Sequence, residues 1–246
     1  MNFERLTPIR FEEIDSTNAE AMRMLKRSKP MEGSCVVADF QSEGRGQRSN
    51  IWSSRPGENL LVSFILYPRS PMVNQPFQLS KAIALAVHST IASFTKGKVQ
   101  IKWPNDILID GKKAAGILIE NQWAGSNWQA AIAGIGINVN QTEFAIEKAT
   151  SLGICNDRAI ALDEVLPKLQ RCISQEYARL CDGLEASISN DYHEKLFGKD
   201  EYHTFENAQG QVIAKVQRVA DDGRLELLSQ QGESLICELS EIRLLY

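Results

Sequence analysis

Between residues 99 and 120 the apolar positions fall in three short runs, 99–103, 107–109 and 114–120, each bounded by turn residues, and this predicts three consecutive strands. Asp110-Gly111 between the last two is a tight-hairpin signal, because both positions tolerate a positive φ. Residues 123–128, with Gly125 inside, predict another turn and 130–140 the returning strand. Upstream, 34–41 and 59–67 are β-branched runs that read as strands, and 11–14 is a short strand. The period changes to 3.6 over 18–26, where Thr17 and Glu20 have capping-box spacing. It does so again over 75–95, where Leu79, Ile83, Val87, Ile91 and Phe94 share a face, and over 162–180 and 190–197. After residue 200 the texture is different. Short strands separated by Gln209-Gly210, Asp222-Gly223 and Gln231-Gly232 predict a small β-barrel. The hairpin succession implies an α+β fold with a mainly antiparallel sheet, divided into residues 1–199 and 200–246.

Composition narrows the function classes. A chain of 246 residues with 43% hydrophobic content can bury a sizeable core. Its net charge of -4 argues against a nucleic-acid surface, which needs a basic excess. Cys35, Cys155, Cys172, Cys181 and Cys237 show no C-x-x-C spacing, and His88, His193 and His203 are scattered, so neither a disulfide framework nor a zinc site is indicated. There is no signal-peptide pattern and no apolar run of membrane-spanning length, which leads us to expect a cytoplasmic protein that does not enter membranes.

Two runs carry candidate chemistry. In residues 44–52, Gly44 and Gly46 flank Arg45 and let the main chain bend around a small anion that the guanidinium holds; alone, the run also reads as a glycine turn followed by solvated charge. In residues 102–106, Lys102 ends an apolar run just before Pro104, which places a lysine at a strand end. Together they suggest a site for a carboxylate and a phosphate. Over 133–140 the side chains alternate, with Ile135, Ile137 and Val139 on one face and Gly134, Gly136, Asn138 and Asn140 on the other. A strand stripped on one face either hosts a bulge or admits a flat ligand. It is not a dinucleotide fingerprint, since the third glycine of G-x-G-x-x-G is missing, and Gly46 does not begin a Walker A loop. Read by themselves, Ser16, Thr17 and Asn18 favour a helix N-cap over a polar site.

Four segments in order, Asp15-Ser16-Thr17-Asn18, residues 40–46 followed by Trp52, residues 102–106, and residues 134–138, resemble the bacterial biotin protein ligases. The resemblance is strong over residues 10–140. It implies a catalytic domain similar to class II aminoacyl-tRNA synthetases with an SH3-like C-terminal barrel. The implied reaction attaches biotin to a lysine of a biotin carboxyl carrier domain, using ATP and Mg²⁺, through biotinyl-5′-AMP. By the same resemblance Ser16, Thr17, Asn18, Gln41, Gly44, Arg45, Gly46, Gln47, Lys102, Gly116, Gly134 and Gly136 surround biotin. Arg45, Arg48, Trp52, Lys102, Asn105 and Asn138 face the nucleotide, with Lys102 and Arg45 catalytic. Main-chain N–H groups of residues 45–47 would help hold the anions. Asp106 and Glu120 are candidate magnesium ligands without assignment. Many relatives carry arginine at Gln47 and glycine at Ser49, which bears on how tightly the intermediate is held. If this stretch is extended, Arg48 points away from residue 47. The first motif begins almost at Met1, so no N-terminal DNA-binding module is expected, and the protein is expected to be a monomer or homodimer. Two alternatives stand beside this reading: lipoate or octanoate transfer on the related fold, and a non-catalytic biotinyl-adenylate sensor. Gln41 and the Ser-Thr-Asn set favour a urea over an alkyl chain, and Lys102 speaks against a sensor.

Overall fold

The structure, a computed structural model, describes residues 2–69 and 75–245; the Ser49 side chain and Tyr246 fall outside the described residues. Seven strands build the main sheet: β1 (Ile9–Ile14), β2 (Cys35–Gln41), β3 (Asn59–Leu66), β4 (Val99–Lys102), β5 (Asp106–Ile109), β6 (Lys112–Ala124) and β7 (Asn127–Asn138). Their order is β1-β2-β3-β7-β6-β5-β4. Only β1 and β2 run parallel, joined by helix α1 (Thr17–Arg27); every other neighbouring pair is antiparallel. A second, smaller antiparallel sheet contains β8 (His203–Asn207), β9 (Gly210–Val219), β10 (Leu225–Ser229), β11 (Ser234–Cys237) and β12 (Arg243–Leu245).

The hairpin at Asp110-Gly111 forms as expected, with φ of 48° and 77°. β6 and β7 extend further than their apolar runs, to Ala124 and from Asn127, because Trp123 and Trp128 face each other in register and stack with centroids 5.5 Å apart. Two helical expectations need correction, and one helix went unexpected. Residue 16, not 17, caps α1: Ser16 Oγ accepts from Ala19 N–H, while Glu20 pairs with Arg23. The helix expected at 190–197 is α5 (Glu185–Glu194), displaced because Gly183, at φ 76°, ends the preceding turn and lets the chain restart as helix at once. A one-turn helix, α3 (Leu152–Asn156), capped by Ser151, was too short to show a period.

Helices α2 (Pro76–Ala92) and α4 (Leu162–Cys181), packed against each other, join one face of the main sheet in a core that includes Phe64, Ile83, Ile135, Ile137 and Leu169. On the other face α1 covers a smaller cluster of Ala21, Val36, Ile65 and Ile132. The alternation along β7 now has a spatial meaning. Ile132 lies in the cluster with Ala21 of α1, Gly134 lies against Asn18 in its first turn, and Gly136 lies beyond the helix end under Trp52. Because α1 stops short of the end of β7, a recess is left on the sheet. Among the described residues no helix is long and apolar enough to cross a membrane.

Candidate active site

The recess is part of a cavity of about 880 Å³. One end is polar and tightly bonded. Thr17 donates from its backbone N–H (2.7 Å) and its hydroxyl (2.9 Å) to Gln41 Oε1. Ser63 Oγ lies 2.7 Å from Thr17 Oγ1 and 2.6 Å from Asn18 Oδ1, with one proton to donate between them. Asn18 Nδ2 donates to Glu120 Oε2 at 2.6 Å and to the Leu118 carbonyl at 3.4 Å. Ser16, Thr17, Asn18 and Ser63 are all buried, yet each has a partner, as buried polar groups require. Gly134 is glycine because a Cβ there would sit 2.3 Å from Asn18 Oδ1. The capping and site readings of 16–18 are therefore divided by residue: Ser16 caps, while Thr17 and Asn18 turn their side chains into the recess.

The middle of the cavity is floored by glycine. Gly116 and Gly136 are register partners on β6 and β7, and a Cβ on either would come within 2.7 Å of the Trp52 ring. Trp52 belongs to the loop at 44–52, which closes on itself through Trp52 N–H to Gly44 C=O (2.9 Å) and Gly46 N–H to Asn50 C=O (2.7 Å). Gly44 permits that closure, since a Cβ would meet the Trp52 carbonyl oxygen at 2.3 Å. Two expectations change here. The Gly46 N–H is engaged inside the loop, so it is not presented to an anion. The stretch is also not extended: residues 47–49 form a 3-10 turn with Arg48 left-handed at φ 55°.

The far end is cationic. Lys102 and Asp106 face each other across the turn at 103–105, and Asp106 pairs with Lys113 Nζ at 2.7 Å. Lys113 in turn stands 5.4 Å from the Trp52 ring centroid. Arg45, Arg48, Lys148 and, from the second sheet, Arg243 also line the cavity. Burial pushes the Lys102 ammonium down to about 8; Asp106 opposes this, while Lys113, Arg243 and Lys148 add to it. Such a cluster in a chain of net charge -4 concentrates positive potential where two anions can be held together.

The depressed value has a stability consequence with a definite sign. Folded Lys102 loses its proton near pH 8, whereas the unfolded chain keeps it to the ordinary 10.5. Across that window the unfolded state binds more protons, so stability rises with pH, and below pH 8 the whole cost of the buried charge is present. Lys102→Met is therefore expected to melt above the wild type at pH 7, with an advantage that shrinks as pH rises from 8 toward 10.5. Equal melting temperatures throughout would show that the charge is not under strain.

Several site residues have structural duties. Asn105 Nδ2 donates to the Ile117 carbonyl (2.9 Å), and Asn138 Nδ2 to the carbonyls of Thr150 (2.9 Å) and Lys113 (3.4 Å), which fixes the wall at 148–150. The two magnesium candidates are also engaged, Asp106 by Lys113 and Glu120 by Asn18, and among the described residues no group of three or more His, Cys, Asp or Glu could hold a metal. Sequence reasoning missed Ser63, Lys113, Lys148 and Arg243. Ser63 had a signal, being the one hydroxyl in the apolar run 60–66. Nothing local marked Lys113, Lys148 or Arg243.

An α+β sheet thus carries a polar recess that leads into a cation cluster. The chain belongs to the biotin/lipoate A/B protein ligase family, whose profile matches residues 11–138. It is 38% identical over 224 residues to the bifunctional ligase/repressor BirA of Bacillus subtilis, covering 89% of this chain and 68% of that one. It is 40% identical over 128 residues to the biotin–[acetyl-CoA-carboxylase] ligase of Paracoccus denitrificans, 51% of each chain. The solved biotin protein ligase from Aquifex aeolicus in complex with biotin and ATP superimposes with a TM-score of 0.78 at 27% identity, covering 97% of this chain and 98% of that one.

Proposed function

We propose that the protein attaches biotin to a lysine of a biotin carboxyl carrier domain at the expense of ATP. The observation that carries this reading is one cavity with a neutral, fully bonded polar end and a cationic end about Lys102. A ureido ring needs donors and acceptors without net charge, and Thr17, Asn18 and Gln41, with Ser63 behind them, offer both. A lipoyl or octanoyl chain has no donors or acceptors to add to these groups and would gain no hydrogen bond from them.

In the first step a biotin carboxylate oxygen attacks the α-phosphorus of magnesium-bound ATP, and pyrophosphate departs with the electrons of the broken P–O bond. Two anions must approach, and Lys102, Arg45, Lys113 and Arg243 lower that barrier. Magnesium enters with the nucleotide, consistent with the engaged state of Asp106 and Glu120. In the second step the acceptor ε-amine, as the free base, adds to the acyl carbon; AMP leaves with the electron pair of the acyl–oxygen bond and the amine sheds a proton. In our reading residues 1–199 carry most of this chemistry, and 200–246 form an SH3-like barrel that closes one side of the cavity and adds Arg243 to the cation cluster. ATP–pyrophosphate exchange with biotin, lipoate and octanoate offered separately tests the substrate. Exchange with biotin alone is expected, and equal exchange with lipoate would overturn the assignment.

Gln47 lines both the main cavity and a cleft of about 240 Å³ beside residues 103–105. A neutral amide there gives a weaker phosphate contact than a guanidinium, by about 1 kcal/mol or several-fold in escape rate. Gln47→Arg is expected to slow release of biotinyl-adenylate, and Gln47→Gly to hasten it and to increase labelling of bystander lysines. A single-turnover chase with a streptavidin blot reads both; identical escape from all three proteins would place the retaining contact elsewhere.

A further inference from the structure

The turn joining β9 to β10 is seated on the catalytic domain by a charged contact that the reaction itself does not use. Lys81, in the middle of α2, is buried, with its side chain only 2% exposed. Its Nζ lies 3.0 Å from Ser189 Oγ and 3.2 Å from Asp221 Oδ1, and the same carboxylate oxygen accepts from Gln78 Nε2 at 2.8 Å. Asp221 is 66% exposed and comes from the second sheet, so a cation buried in one domain takes its counter-charge from the other. Two residues on, Gly223 (φ 96°) lies flush on the Phe77 ring, where a Cβ would approach to 2.7 Å. Its carbonyl accepts from Trp103 Nε1 at 2.9 Å. Trp103 directly follows Lys102, at the turn that pairs Lys102 with Asp106.

We propose that Asp221 is a positioning residue for Lys102: by pairing with Lys81 and Gln78 it seats the β9–β10 turn, and the Gly223 carbonyl then holds the Trp103 indole and with it the strand end that carries Lys102. This rests on the role given to Lys102 above. The physical logic is one of sequence. A hydrogen bond from Trp103 positions the lysine only if its acceptor is itself fixed, and the turn is fixed by a carboxylate that a buried ammonium needs as its counter-charge. Arg243, on β12 of the same sheet, also lines the cavity. Small displacements of a preorganised charge reduce turnover more than they reduce binding of a substrate held elsewhere, and the ureido end lies on α1, β2 and β3, away from the latch.

The full chain is assayed for single-turnover adenylate formation at saturating biotin and magnesium-ATP, with biotin affinity measured by titration calorimetry. Asp221→Ala, Asp221→Asn, Trp103→Phe and the Asp221→Ala/Trp103→Phe double variant are compared with wild type and with Lys102→Ala. Asp221 is exposed and Trp103→Phe keeps an aromatic ring, so folded proteins are expected, checked by melting temperature; Asp221→Asn, which retains size and loses charge, decides the matter if the alanine variant is unstable. Each single variant is expected to slow adenylation about tenfold while biotin affinity stays within twofold. The double variant should be no slower than the slower single one, because both cut the same chain of contacts. Wild-type rates in the Asp221 variants, multiplying effects in the double variant, or a loss confined to biotin affinity would each overturn the proposal. If Lys102→Ala itself adenylates at the wild-type rate, it is the assignment of Lys102 that fails.

Discussion

Lys102→Ala is expected to lower the rate of biotinyl-adenylate formation by about 10²–10³, equivalent to roughly 2.7–4 kcal/mol of transition-state stabilisation, while biotin still binds. The position of the lysine explains the split. Lys102 lies at the cationic end of the cavity, across from Asp106, and the polar cluster of Thr17, Asn18, Gln41 and Ser63 is built on other elements. Its ammonium matters most as charge shifts from carboxylate to phosphate, and its partial burial weakens screening by water. Stopped-flow adenylation beside a biotin titration separates the two effects. Near wild-type adenylation would remove Lys102 from the mechanism.

Gly136→Val is expected to weaken biotin binding by about 1–3 kcal/mol, roughly five- to 150-fold, with a smaller loss of stability. The new Cβ would start 2.4 Å from the Trp52 ring, so either Trp52 leaves the floor or the valine fills it. In both cases the flat surface made with Gly116 is lost. The fold tolerates the change better than the site does, because Ile135 and Ile137 stay packed on the opposite face and Trp52 belongs to a loop outside the main sheet. Calorimetry with biotin and a urea titration measure the two sides. Unchanged affinity would mean that the glycine floor serves the packing of Trp52 and not the ligand.

Much of this architecture was legible because it depends on local period and turn chemistry. The hairpins from β4 to β7 follow from apolar runs interrupted by residues that accept positive φ, as at Asp110-Gly111, and the alternation over 133–140 placed the glycines on one face. What local pattern could not supply was the partner of each exposed-looking group. Glu120 has no sequence feature that ties it to Asn18, 102 positions away, and Thr17 and Ser16 have similar capping propensities. Which of them caps is decided by Gln41 and Ser63, both of which draw the Thr17 hydroxyl into the recess.

Local pattern was enough for the α+β class, the succession of strands in the main sheet and of the longer helices, the stripped face of β7, and, through four motifs in order, the residue set that resembles a biotin ligase site. These are properties of contiguous stretches, in which side-chain period and backbone preference act over a few residues. Only packing sets α1 short of the end of β7 and so opens the recess, lays Trp52 over Gly116 and Gly136, and brings Lys113 and Arg243 to Lys102. It also decided that Asp221 of the second sheet neutralises Lys81. Each of these is a contact between distant segments, and its energy depends on distance and burial, which a chain acquires only when its layers pack.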